Sequence, residues 1–238
     1  AVRRPAAPQW HVRPGAHDLR CLGADGVAMI TPQAPGAAGE PRYYAITPVT
    51  GWRVAVLDAY DVSLIGHVAG SPEHTAAVAL LAQHNPNPPG VADPLMGLVG
   101  AARRWSPHGG GLGTAQLQWL GAQLDAAEAA HESVIVLCHL NVLGAAESLL
   151  YNYEEVARLL DSRAGVVAAW IAGAGADGSY ARDEKGVHHI VPCSAAGCGV
   201  NEDAYGLVKV CADRLQLTMC GRPPAAGGGK WPDTDLYT

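Results

Sequence analysis

Apolar and polar positions along the chain follow two periods, one of strands and one of helices. The run WRVAVLDAY at residues 52–60 is the first firm strand, closed by Asp61-Val62-Ser63. Residues 72–84, PEHTAAVALLAQH, combine a Pro near the start with apolar residues at helical spacing, and they run into the stop NPNPPG. Residues 85–113 then form a long loop. The segment TAQLQWLGAQLDAAEAAH sets Leu117, Leu120 and Leu124 on one face behind Thr114 as N-cap, the signature of an amphipathic helix. SVIVLCH follows as a buried strand, a helix is predicted over 152–163, and another buried strand over 166–172. VHHIVPC, YGLVKVCAD and RLQLTMCG read as a β meander with polar turns. Helix-strand alternation ahead of antiparallel strands predicts a layered α/β sandwich. Residues 1–42 are an irregular segment with a candidate strand at QWHVR, residues 43–221 are the domain, and residues 222–238 are a tail or arm.

Composition narrows the classes. A chain of 238 residues, 49% of them hydrophobic, buries a core as one soluble domain, and no apolar run is long enough to span a membrane. The formal net charge is −6, and basic residues cluster no further than pairs such as Arg3-Arg4 and Arg103-Arg104. That leaves no continuous track for a phosphate backbone and argues against nucleic acid as partner. Six cysteines without a C-x-x-C pair lie mostly in apolar runs, as buried free thiols of a reducing intracellular compartment do. The start AVRRPAAPQW, without Met, fits a processed precursor, an organellar one included, or an excised fragment.

Candidate chemistry gathers at three places: HVRPGAHD with His11 and His17, the strand end VIVLCHLNV with His139, and WIAGAGADGSY at the carboxyl end of a strand. Strands that deliver Asp, Asn and His from their carboxyl ends to one point are the design of a binuclear metal site. GAGADG is a poor dinucleotide loop, because SYARDEKG leads into a strand and no helix follows. His188 and His189 are strand neighbours on opposite faces and do not share an ion. PHGGGLG reads as a flexible loop.

The order of YYAITPVTGWRVAVLDAYDVSLIG, HNPNPP, GTAQLQWL, VIVLCHLNV, NYEEV and AGAGADGSYARDEKGVHHIV resembles the calcineurin-like metallophosphoesterases. Within them it resembles the manganese-dependent ADP-ribose/CDP-alcohol diphosphatases, over roughly residues 9–220. The resemblance implies a metallophosphoesterase-like α/β sandwich, here lacking the family's first strands with their metal motifs. It matches Gly15-Ala16-His17-Asp18 to a Gly-Asn-His-Asp motif, so Ala16 stands for a metal-binding Asn while His17, which assists the leaving group, remains. His139 is the retained strand-end ligand, and Ala174 and Ala176 stand where two ligating histidines are implied. These substitutions predict a catalytically inactive binding or structural subunit of a larger assembly, with no cofactor and with protein partners. Trp231, Leu236 and Tyr237 are the anchors of its C-terminal arm, which docks on this chain or a partner. The alternatives are an active Mn-dependent diphosphatase using His17 and His139, or a protein holding a nucleotide without hydrolysis through the LDAYD and DGSY loops.

Overall fold

The computed structural model describes residues 15–21, 42–175, 177–194, 204–221, 231 and 235–237. A short helix α1 covers 16–21. Strand β1 (Tyr44–Val49) pairs antiparallel with β2 (Trp52–Val56), and helix α2 (Pro72–His84) follows. Helix α3 (Thr114–Ala129), strand β3 (Ser133–Leu137), helix α4 (Tyr153–Asp161) and strand β4 (Val167–Ile171) supply the alternating centre. The strands β5 (Ser179–Arg182) and β6 (His188–Val191) complete a six-stranded sheet in the order β1-β2-β3-β4-β6-β5. Its four central strands run parallel, and the edges β1 and β5 run antiparallel to their neighbours. A second sheet is built from β7 (Tyr205–Val210), β8 (Arg214–Cys220) and β9 (Asp235–Tyr237), all antiparallel.

Side-chain alternation along the central strands creates two cores. On β3, Val134 and Val136 face α3 and α4 and pack with Leu120, Leu124, Val156 and Leu160. Ile135 points the other way, into a cluster with Trp52, Ile190, Leu215, Leu217 and Leu236. The layers are therefore helices, six-stranded sheet and three-stranded sheet, the predicted α/β sandwich.

Several details depart from the sequence reading. The predicted meander is divided: β6 joins β4 in the first sheet, while β7 and β8 start the second. β1 occupies a stretch with no predicted strand. The N-cap of α3 is Gly113, one residue before Thr114. The cap interaction is supplied from afar, the Gly113 amide donating to Asp61 Oδ2 at 2.9 Å. The end of the chain is not wholly a tail, because β9 pairs with β8 and Leu236, 3% exposed, is spent inside this chain's own core. Trp231 is half-buried, and the Tyr237 backbone pairs with Arg214. The candidate strand QWHVR, with His11, lies outside the described residues. Of the described cysteines, Cys138 and Cys193 are buried and Cys21 is exposed. Among the described residues no helix is long and apolar enough to cross a membrane.

Candidate functional site

The parallel strands end together, and the loops leaving them build one side of a cavity. Beyond β2, the Leu57 amide still donates to the Leu137 carbonyl at 2.8 Å before the chain turns through LDAYD. Gln116, wholly buried on the first turn of α3, fixes that turn. Its Oε1 accepts from the Asp58 amide at 2.8 Å, and its Nε2 donates to the Asp58 carbonyl and to Asp61 Oδ2, each at 3.0 Å. The Asp58 carboxylate pairs with Arg42 Nε at 2.8 Å and accepts from the Tyr60 amide at 3.1 Å. Burial raises the Asp61 pKa, opposed by its bonds to Gly113 and Gln116. Both acids of LDAYD are thus engaged in holding the loop, and Tyr60 is the residue it presents to the cavity.

At the end of β3, His139 is wedged between two glycines. A methyl group on Gly15 would come within 2.6 Å of its Cε1, and one on Gly173 within 2.9 Å of its Nδ1. Close passage of backbone past the imidazole is what glycine permits at both positions. The His139 carbonyl accepts from the amides of Gly173 and Ala174 at 3.0 and 2.8 Å, and Asn141 Nδ2 donates to the Ala174 carbonyl at 3.0 Å. The glycine stretch after β4 is tied to β3 by these bonds. Burial depresses the His139 pKa, with Asp18 opposing and His17 adding to the shift, so its imidazole is neutral at pH 7.

Loops from the other direction close the wall. Ser63 Oγ donates to the Gly109 carbonyl at 2.7 Å, and Tyr151 Oη donates to the Ser106 carbonyl at 2.6 Å. Gly110 lies so near the Ala59 carbonyl that a side chain there would collide with it. The loop read as flexible is consequently anchored, and it carries His108 to the cavity. Burial lowers the His108 pKa, and Arg20 and His17 lower it further.

The resulting cavity, about 690 Å³, is lined by His17, Tyr60, Arg103, His108, His139 and Glu147, with Ala16 and Ala174 on the same surface. Its size is that of a small-molecule site. The structure thus brings Ala16, His17, His139 and Ala174 together from three separate segments, while Ala176 lies outside the described residues. Trp231 and Leu236 are not on this lining. In the DGSY loop, the Asp177 carbonyl accepts from Cys193 Sγ at 3.3 Å, and the loop does not line the cavity. His188 and His189 look opposite ways: one meets the Tyr180 hydroxyl at 2.9 Å, the other Asp183 Oδ2 at 2.8 Å.

Sequence reasoning missed Arg103, His108 and Glu147, and it reached Tyr60 only as part of the LDAYD loop. A signal was present in two of them, a basic pair and a histidine inside a long loop, where binding residues concentrate. Among the described residues no three His, Cys, Asp or Glu side chains converge as a metal-ligand group. The described residues therefore do not furnish the ligand set of a two-metal centre.

No family model matches the chain. It is 33% identical over 191 residues to a manganese-dependent ADP-ribose/CDP-alcohol diphosphatase of Arabidopsis thaliana, covering 79% of this chain and 60% of that protein. It is 30% identical over 200 residues to the human protein of the same name, covering 80% of this chain and 56% of that one. The chain spans less than two thirds of the length of these relatives. Among solved structures, a dimetal phosphatase from Danio rerio superposes with a TM-score of 0.77 at 27% identity, covering 87% of this chain and 68% of that one. The expectation of no cofactor is corrected by these names: the relatives are called manganese-dependent, which points to a metal cofactor.

Proposed function

From the metallophosphoesterase-like relationship of this chain to manganese-dependent ADP-ribose/CDP-alcohol diphosphatases, we propose that its strand-end cavity binds phosphoanions of the nucleoside-diphosphate class without turning them over. The observation that carries this reading is the make-up of the cavity wall. Among the described residues it offers the Arg103 guanidinium, three imidazoles and the Tyr60 hydroxyl against a single carboxylate, Glu147. Such a wall suits oxyanions, because donors from a charged or polarised group make the stronger hydrogen bonds to phosphate oxygens. His139, neutral and wedged in place, orients a ligand oxygen as a donor from one nitrogen. His17, exposed on α1, has freedom to adjust to the ligand. Hydrolysis asks for more: a nucleophile activated at neutral pH and charge to offset the leaving group. With Ala16 and Ala174 on the lining, two positions that face the cavity carry methyl groups in place of donors. Binding without turnover is the role of a non-catalytic binding subunit.

The test separates binding from turnover. Isothermal titration calorimetry with ADP-ribose is expected to give a saturable signal that His139→Asn weakens. Incubation with ADP-ribose or CDP-choline in the presence of Mn²⁺ is expected to release no AMP or CMP beyond a protein-free control. Release of either product by the unaltered chain replaces this reading with that of an active diphosphatase.

A further inference from the structure

Arg103 lies in a 3-10 turn, Gly100–Arg104, and Glu147 in a second one, Ala146–Ser148; both residues line the cavity. Arg103 Nη2 and Nε sit 2.6 and 2.7 Å from the same oxygen, Oε1 of Glu147, and Nη1 reaches the Leu98 carbonyl at 3.3 Å. One carboxylate oxygen thus takes two donors, which is not the fork-on-fork pairing in which a guanidinium binds an anion best. The side chains are 38% and 57% exposed, so the pair is solvent-screened and readily exchanged.

We propose that Arg103 is the anion-recognition residue of the cavity and that Glu147 is the competitor that sets its charge requirement, so that the ligand carries at least two negative charges on neighbouring oxygens. A pyrophosphate or a phosphate monoester dianion meets that requirement, and a phosphodiester monoanion does not. The proposal rests on the reading of the cavity as a phosphoanion site. Exchanging Glu147 for a monoanion trades one ion pair for another and leaves two negative groups side by side. Either anion can meet the guanidinium with two oxygens, but a dianion attracts it more strongly than the carboxylate does and still has an oxygen for a second donor. That donor is also in place. The Tyr60 side chain lines the same cavity, its residue 1% exposed, and among the described residues its hydroxyl has no hydrogen-bond partner. A buried hydroxyl left without a partner costs free energy that a ligand oxygen would recover. Burial pushes its pKa up, opposed by the neighbouring Ala16 amide, so it remains a donor throughout the neutral range.

The experiment is calorimetric titration of the full chain and its variants with inorganic pyrophosphate and with dimethyl phosphate. Arg103→Gln is expected to weaken pyrophosphate binding by about tenfold, the value of one charge-assisted contact, with Arg103→Lys intermediate. Glu147→Gln is expected to act in the opposite direction, tightening pyrophosphate by about threefold and admitting dimethyl phosphate, since it frees the guanidinium and removes a negative charge. An ion pair that serves structure alone predicts equal or like-signed changes for both residues, and that result overturns the assignment. If the unaltered chain binds pyrophosphate and all variants match it, Arg103 and Glu147 are not the selectors while the cavity reading stands. If no form binds pyrophosphate, both fall. Thermal unfolding of each variant, expected within a few degrees of the parent, confirms that binding was measured on folded protein.

Discussion

His139 shows how one residue's surroundings decide its chemistry. Two glycines let backbone pass close to its ring, and burial lowers the imidazole pKa below its ordinary value. An unfolded chain takes up that proton near pH 6.5, at a higher pH than the folded one does. Stability is therefore full above about pH 6.5 and falls as pH drops toward the depressed folded value, since acid favours the state that binds more protons. His108 contributes with the same sign. The urea midpoint is expected to decline between about pH 6.5 and 5, and His139→Asn is expected to flatten part of that decline. A midpoint independent of pH over this range would show that His139 is not held neutral by its site. His139 was legible in the sequence because a polar residue closing a buried strand is conspicuous. Glu147 was not, and Tyr60 and Arg103 showed only as part of a loop and of a basic pair, because their common cavity exists only after three distant loops have folded.

At the level of elements, the junction of β2 with α3 depends on one amide side chain. Gln116 satisfies both backbone groups of Asp58 and one oxygen of Asp61 from a site with no solvent access. Gln116→Leu fits the volume but strands those groups, at a cost of about 1–3 kcal/mol. Chemical denaturation measures it, and a cost near zero would mean that the loop finds other partners. Helix α2 was readable to the residue, from Pro72 at its start to Asn85 after its end, because its signals are local: Ser71 Oγ accepts from the His74 amide at 3.3 Å, and Pro72 needs no amide partner. The central strands were equally plain as apolar runs. The strand partners were not. β6 lies parallel to β4, and β8 lies between β7 and β9, but a period of two says which face a residue takes and nothing about its neighbour. β9 was hidden by its three-residue length and by the Pro- and Gly-rich sequence before it.

For the whole molecule, the three-stranded sheet covers the face of the six-stranded sheet that the helices leave open, and Leu236 is one of the residues between them. Leu236→Ala is expected to cost about 2–5 kcal/mol, as for a leucine truncated in a packed core. Calorimetric unfolding reads this directly, and an unchanged melting temperature would mean that the last strand contributes no packing. Between the same sheets, the Trp52 indole, 2% exposed, donates from Nε1 to the Cys211 carbonyl at 2.8 Å. That single bond runs from a strand of one layer to the turn between two strands of the other. A fluorophore in such a place is a gauge of the seam it closes: while the layers are joined its emission stays at the blue end of the tryptophan range, and any opening that admits water moves it to the red. With the other tryptophans replaced, light from Trp52 would report when the layers part, independently of whether the helices on the far side have melted.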